Sequence, residues 1–267
     1  MSDYWKDRMA LAQDKITATK RAEIEKQIKK YYTSSMNRLV NGFENTYNKI
    51  LLQEAAGKQV TPALLYQLDS YWQLQGQVKR EMQKLGDKQI ALLSKYFEEN
   101  FFEVYYSIAL PSGKAFSSLS SEMVEQMINQ IWAADGLSWS ARVWKNTEKL
   151  AETLNEQLFH CVATGARTTE LKHLLQERFN VSYAQADTLA RTELAHIQTT
   201  AAQKRYKDAG VEKVQLWADA DERRCPQCGK LHKKLYNINE KMPVPVHPRC
   251  RCVMLPVIEE EEAQLTQ

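Results

Sequence analysis

With 267 residues, 43% of them hydrophobic and 26% charged, the chain carries enough apolar material to bury a core and too much to belong with disordered sequences. A formal net charge of +3 does not mark a dedicated nucleic-acid binder unless the charge is concentrated in one place. No apolar run approaches the roughly 20 residues that span a bilayer, and the opening MSDYWKDRMALAQDKI has early acids where a signal peptide needs an apolar stretch. These features predict a chain folded in a cytoplasm with no membrane partner. In that setting clustered cysteines point to metal ligands rather than disulfides.

From Asp3 to about Ala56 the pattern is helical. Ile24, Ile28, Tyr31, Ser35, Leu39, Phe43, Tyr47 and Ile50 recur at three- and four-residue steps along one face. Gly57 ends this run, and Thr61-Pro62 restarts it with a cap residue and a proline in the first turn. Leu64, Leu65, Leu68, Tyr71, Trp72 and Leu74 mark a second helix. Gly86-Asp87 predicts a stop and a new cap before a third helix through Ile90, Leu93, Tyr96, Phe97, Phe101, Val104 and Tyr105. Such aromatic-faced helices pack on one another or on a partner subunit.

Pro111-Ser112-Gly113 is a break, and the serines from Ser117 to Ser121 can cap a helix over Glu122 to Trp132. The chain turns at Asp135-Gly136, and Ser138 or Ser140 opens a helix reaching Thr164-Gly165. Thr168-Thr169 starts a short helix, Asn180-Val181-Ser182 predicts a turn and cap, and a further helix runs from Tyr183 to Ala209, stopping at Gly210. Past Gly210 the period changes to two: Val211 to Trp217 alternates as a strand does, with Lys233–Tyr236 and Cys252–Pro256 as further short strands. Prolines at 243, 245 and 248 hold the approach to the last cysteines extended. The fold class expected is mainly α: an N-terminal helical arm or bundle with a small C-terminal α+β module stapled by a Cys/His site. The divisions expected are 1–110, 111–210, 211–258 and an acidic tail over 259–267.

Four of the five cysteines lie in that module, as Cys225-Pro-Gln-Cys228 and His247-Pro-Arg-Cys250-Arg-Cys252. A Cys-x-x-Cys turn offers two thiolates to one ion, with Gly229 expected to supply the positive φ of such a knuckle. His247-x-x-Cys250 repeats the spacing, so Cys225, Cys228, His247 and Cys250 form the expected set, with Cys252 or His232 as alternatives. Four protein ligands close a zinc site and make it structural, and in so short a module the ion supplies folding free energy. Free or buried thiols are the alternative. Cys161, among helix formers, reads as a small buried hydrophobe.

No catalytic residue is assigned. A zinc deaminase needs His-x-Glu ahead of Pro-Cys-x-x-Cys, and no His-x-Glu occurs. A dithiol oxidoreductase wants its pair at a helix start in a βαβ unit, whereas the sequence upstream is helical. A zinc-stapled nuclease using His232 or His247 as base lacks a second convincing catalytic group. From Asp221 on, the module is nonetheless lopsided in charge: Arg223, Arg224, Lys230, Lys233, Lys234, Lys241, Arg249 and Arg251 against Asp221, Glu222 and Glu240. Of these, Arg223, Arg224, Lys233, Lys234, Arg249 and Arg251 are candidate phosphate contacts, which predicts salt-sensitive, sequence-independent binding. A solvated face partly neutralised by the acidic tail is the alternative.

One ordered set of elements carries a family likeness. Ala190-Arg191-Thr192-Glu193-Leu194 leads to Ala209-Gly210-Val211 and Trp217. Then come Asp221-Glu-Arg223-Arg-Cys225-Pro-Gln-Cys228, Leu231-His232 and Pro245-Val-His247-Pro-Arg-Cys250-Arg-Cys252. This set, over roughly Leu154 to Val257, resembles the minor head (head-morphogenesis) proteins of tailed bacteriophages, the Mu F-like family. Lys233 departs from it, since members commonly have a small residue or glycine there. The resemblance implies a virion component of the capsid interior, assembled in the host cytoplasm. It also implies association with the portal and other head proteins, a role in head assembly or in handling packaged DNA, and no catalytic activity to carry over. The aromatic-faced helices are then the candidate portal contact and the basic module the candidate DNA contact. Arg191 and Glu193 are expected to hold the C-terminal module to the helices. The contrasting expectation is a zinc-supported nuclease or toxin-like effector delivered with the phage genome.

Overall fold

The computed structural model describes residues 3–55, 69–110, 116–164, 166–218 and 225–258. Among them the protein is mainly helical: α1 (Asp3–Ala55), α2 (Asp69–Ser107), α3 (Ser121–Ile128), α4 (Trp139–Ala163) and α5 (Thr168–Asp208) precede β1 (Lys213–Trp217), α6 (Pro226–Leu231), β2 (Leu235–Asn237) and β3 (Val253–Pro256). The three strands form one small antiparallel sheet in the order β2-β1-β3. The expected signals at Gly57, Thr61-Pro62, Leu64, Leu65, Leu68 and Pro111–Gly113 lie outside the described residues. No described helix is long and apolar enough to cross a membrane.

Two expected breaks are absent. α2 runs straight through Gly86-Asp87, because Gly86 is used for packing: a Cβ there would lie 2.4 Å from Cζ3 of Trp144. α5 likewise continues through Asn180-Val181-Ser182. Ser182 is buried there, its hydroxyl 3.4 Å from the Tyr32 hydroxyl, rather than capping a new helix. The stop at Gly210 is present. Gly210 has φ 75 and its N–H donates to Lys207 O, while Val211 N–H donates to Tyr206 O. That pair of bonds is the Schellman arrangement, which needs the left-handed conformation glycine tolerates. Ser120 caps α3, its hydroxyl accepting from the Met123 N–H.

The chain forms two compact units assembled from separate stretches: 1–24, 93–138 and 188–267 make one, and 25–92 with 139–187 the other. In the second unit, whose described elements are all helices, Ile28, Tyr32, Ser35, Leu39 and Phe43 of α1 point inward; Tyr32 takes the place expected of Tyr31. Tyr32 meets the edges of Phe179 and Tyr183. Leu85, Val143, Leu154, Leu158, Cys161 and Leu175 are buried in the same unit, and Arg38 pairs with Glu81 at 2.7 Å.

The other unit holds the sheet. Residues of β1 and β3 are buried on both faces apart from Lys213. Trp217, Val253 and Leu255 share one side, against which Met9 and Ala10 of α1 pack. The first turns of α1 are fastened there by polar side chains. Lys233 Nζ lies 2.6 Å from Asp3 Oδ2, Lys6 Nζ donates to Gln215 Oε1 at 3.1 Å, and Trp217 Nε1 donates to Asp7 Oδ1 at 2.9 Å. Gln13 donates to the Tyr206 hydroxyl, which donates to Met254 O. Phe97, Phe101, Val104 and Tyr105 of α2 are fully buried in this unit, so this stretch of an expected partner-facing helix is spent on the internal core.

Candidate metal centre

The Cys-x-x-Cys pair sits at the start of α6. Cys225 is the N-cap residue, Pro226 occupies the first turn, and the Cys228 N–H donates to Cys225 Sγ at 3.3 Å. Gly229 lies within this helical turn and does not take the positive φ expected of it. Among non-glycine described residues, Lys233 (φ 67) and Arg249 (φ 61) do. The left-handed backbone at 233 explains why a glycine suits that position, and why Lys233 is a departure with a conformational cost. The pair opens a helix, as in dithiol oxidoreductases, but beside an antiparallel sheet instead of inside a βαβ unit.

The second donor group arrives on the irregular chain leading into β3. Val244 and Cys250 are buried, the Val244–Pro245 peptide is cis, and the Cys250 N–H closes a turn onto His247 O at 3.1 Å. His247 Nε2 stands 3.2 Å from both Cys225 Sγ and Cys228 Sγ, and Cys228 Sγ is 3.9 Å from Cys250 Sγ. The donors fall into two triads, Cys225/Cys228/His247 and Cys228/Cys250/Cys252, each with its ligand atoms within 4.8 Å of one another and each able to hold a metal ion. Nδ1 of His247 lies 2.8 Å from Pro248 O. A carbonyl only accepts, so Nδ1 carries the proton and a neutral ring turns its Nε2 lone pair to the sulfurs.

The electrostatics suit a cation. The Cys228 N–H bond lowers the Cys225 thiol, and a hydrogen bond from Cys252, then the backbone N–H groups, pull Cys250 down. Cys228 is pushed up to about 12 by burial, and Cys252 is raised because it donates to Cys250. For His247, burial opposes the charge, but the Pro248 carbonyl and the Cys250 and Cys225 sulfurs outweigh it. Buried sulfurs this close hold protons that a bound cation replaces, and a set of thiolates and one imidazole fits a soft or borderline metal.

Cys252, expected only as an alternative, stands in the cluster. His232 stands elsewhere: its Nδ1 accepts from the Ala218 N–H at 3.2 Å and its ring meets the Trp217 edge at 4.7 Å, closing the end of β1. Thr192, present in the sequence reading only as part of the Ala190-Arg191-Thr192-Glu193-Leu194 likeness, and Thr188, which the sequence did not single out, have a direct role here. Thr192 Oγ1 accepts from the Arg249 N–H at 3.1 Å, and Thr188 Oγ1 from Arg249 Nε at 3.0 Å, so two threonines one helical turn apart hold the His247–Cys250 turn. Their four-residue spacing ahead of the module was the available signal. Glu193 is buried and accepts from Trp132 Nε1 at 2.7 Å. Gln203 adds a further tie from α5, donating to Ile238 O at 2.6 Å.

Comparison with known proteins now bears on this site. The family model described as phage Mu protein F like protein matches residues 152–255. This segment is similar to that family. It contains about half of α4, all of α5, the sheet up to Leu255 and all five clustered donors, while the turns of α1 that cover the sheet lie outside it. A curated relative, the NAD(+)--arginine ADP-ribosyltransferase EFV of Enterococcus faecalis, is 24% identical over 188 residues, covering 62% of this chain and 38% of that protein. The chain therefore spans well under half the length of that relative. No solved structure matches.

The candidate phosphate contacts of the Mu F-like segment are divided. Arg223 and Arg224 lie outside the described residues. Lys233 is paired with Asp3, and Lys234 Nζ sits 5.9 Å over the Tyr236 ring. Arg249 is bound to Thr188, and Arg251 lines a cleft with Asp7, Asp14 and Trp217.

Proposed function

We propose that this chain is a minor structural component of a phage head, acting in head morphogenesis at the portal or capsid interior. The match of residues 152–255 to the Mu F-like family carries this reading. Mass spectrometry of purified particles tests it: a head component is recovered in low, fixed copy number, and a chain absent from full heads is not one. Exposed aromatics on the unit that holds the sheet, Tyr4 and Trp5 beside Arg8, are the candidate portal contact. Aromatic and arginine side chains dominate such anchors.

In this reading the Cys/His cluster holds zinc for architecture. Cys225, Cys228, His247 and Cys250 or Cys252 bind it and fasten α6 to the chain entering β3. Zinc co-purifying with the chain and lost in Cys228→Ser is the expected result; a metal-free chain with an equally protected C-terminal segment removes the assignment. Contact with packaged DNA would use the basic residues of the module, and binding that weakens between about 50 and 200 mM salt is its expected signature. A second reading is a toxin-like effector travelling with the genome, for which the enterococcal ADP-ribosyltransferase relative suggests the assay. Transfer of labelled ADP-ribose from NAD to an arginine substrate would establish it, and an inert chain found in particles favours the structural one.

A further inference from the structure

A single tetrahedral ion needs four protein donors, and five lie together here. They divide by burial and by chemistry as well as by distance. Cys228, Cys250 and Cys252 are all buried sulfurs, whereas Cys225 and His247 are half-exposed and mix sulfur with nitrogen. Cys250 and Cys252 are two residues apart on the chain entering β3, and the Cys252 thiol is hydrogen-bonded to the Cys250 sulfur. One tetrahedral ion on Cys225, Cys228, His247 and Cys250 would leave the buried Cys252 thiol beside it without an ion to serve. Cys228 alone belongs to both triads, and a thiolate sulfur has lone pairs enough to bridge two metals. Five donors with one shared satisfy two three-coordinate ions.

We propose that the cluster is a two-ion site bridged by Cys228 Sγ. Its inner all-sulfur subsite (Cys228, Cys250, Cys252) and outer subsite (Cys225, Cys228, His247) together take two soft ions of three-coordinate habit, Cu(I) being the type. The inference rests on the reading above that the cluster binds metal, and replaces its single four-coordinate zinc with two softer three-coordinate ions. Soft thiolate donors select such ions over hard divalent ones, and the inner subsite, with no oxygen or nitrogen donor in its triad, is the softer of the two.

The test is anaerobic titration of the full chain with Cu(I), followed by native mass spectrometry. Cys161→Ser serves as background so that the cluster supplies every thiol. Saturation at two ions per chain is expected. Cys252→Ser should then stop at one ion, Cys225→Ser also at one, and Cys228→Ser should lose the two-ion species. Saturation at one ion, with Cys252→Ser unchanged, overturns the two-ion site and leaves the metal reading standing. No bound ion at all overturns both. The wild-type count alone decides the matter if a variant fails to fold.

Discussion

Thr192 carries an interaction on each side of its hydroxyl. It donates to Thr188 O within α5 at 2.7 Å and accepts from the Arg249 N–H. That N–H belongs to a residue with positive φ, a backbone state a non-glycine residue holds only when its surroundings insist on it. Thr192→Val keeps the shape and removes the acceptor, so it should cost about 1 kcal/mol in chemical denaturation and speed amide exchange at Arg249. Thr192→Ser should restore both. Gly86→Ala acts through crowding instead: the new methyl meets the Trp144 ring, and a loss of about 1–3 kcal/mol is expected. Combining it with Trp144→Leu should recover part of that loss, since the two changes share one contact. Asp208 is an electrostatic case. Tyr105 donates to its carboxylate at 2.5 Å and Lys204 pairs with it; burial opposes the charge, but these partners hold its pKa below the usual carboxylate range. A depressed folded-state pKa gives stability that is present above the unfolded value and lost as pH falls through the folded one. Asp208→Asn should therefore be less stable than wild type at neutral pH, with the gap closing below about pH 4.

At the scale of elements, what the residue pattern made visible was apolar period, and what it hid was context. The span of α1, the stop at Gly210 and the change to strands after it all follow from spacing and from glycine chemistry, and all are present. Gly86-Asp87 and Asn180-Val181-Ser182 carry the chemistry of a stop, yet helix continues, because Trp144 fills the space at Gly86 and Tyr32 engages Ser182. Local propensity cannot register a partner dozens of residues away. The same holds for the start of α1. Lys6, Gln13 and Thr17 are buried though polar, so they leave no apolar stripe to read. They meet Gln215, Tyr206 and Asn100, groups that could be matched to them only after folding. For the candidate site, cysteine spacing located the donors, while the place of Cys252 in the cluster, the removal of His232 and the two threonine clasps required the fold. A test follows from the polar clasp of α1. Removing residues 3–14 should uncover Trp217, Val253 and Leu255 and quicken amide exchange in β1 and β3. Exchange in α4, which belongs to the other unit, should stay as it was.

For the whole molecule the division of labour between the two units decides what metal removal does. The unit of 25–92 and 139–187 is built of long helical segments with fully buried Phe43, Leu85, Leu154 and Phe179, and none of the clustered donors is in it. Its stability comes from burial of apolar surface, at about 25 cal/mol per Å². The sheet in the other unit has strands of five, three and four residues, and three such strands bury too little to hold their own connections in place. Two of those connections, α6 and the chain from Asn239 to Cys252, are joined through the cluster, so an ion there stands in for missing core. Chelation should therefore split the protein's behaviour. Amide exchange should accelerate from 225 to 258 and, through the Asp3, Lys6 and Asp7 clasps, from 3 to 14, while protection over 25–45 and 171–187 stays near its starting level. Far-ultraviolet circular dichroism should keep most of its helical signal throughout, and readding zinc should reverse the exchange. If chelation instead loosened every helix together, or left the C-terminal segment as protected as before, the cluster would not be the staple of this module.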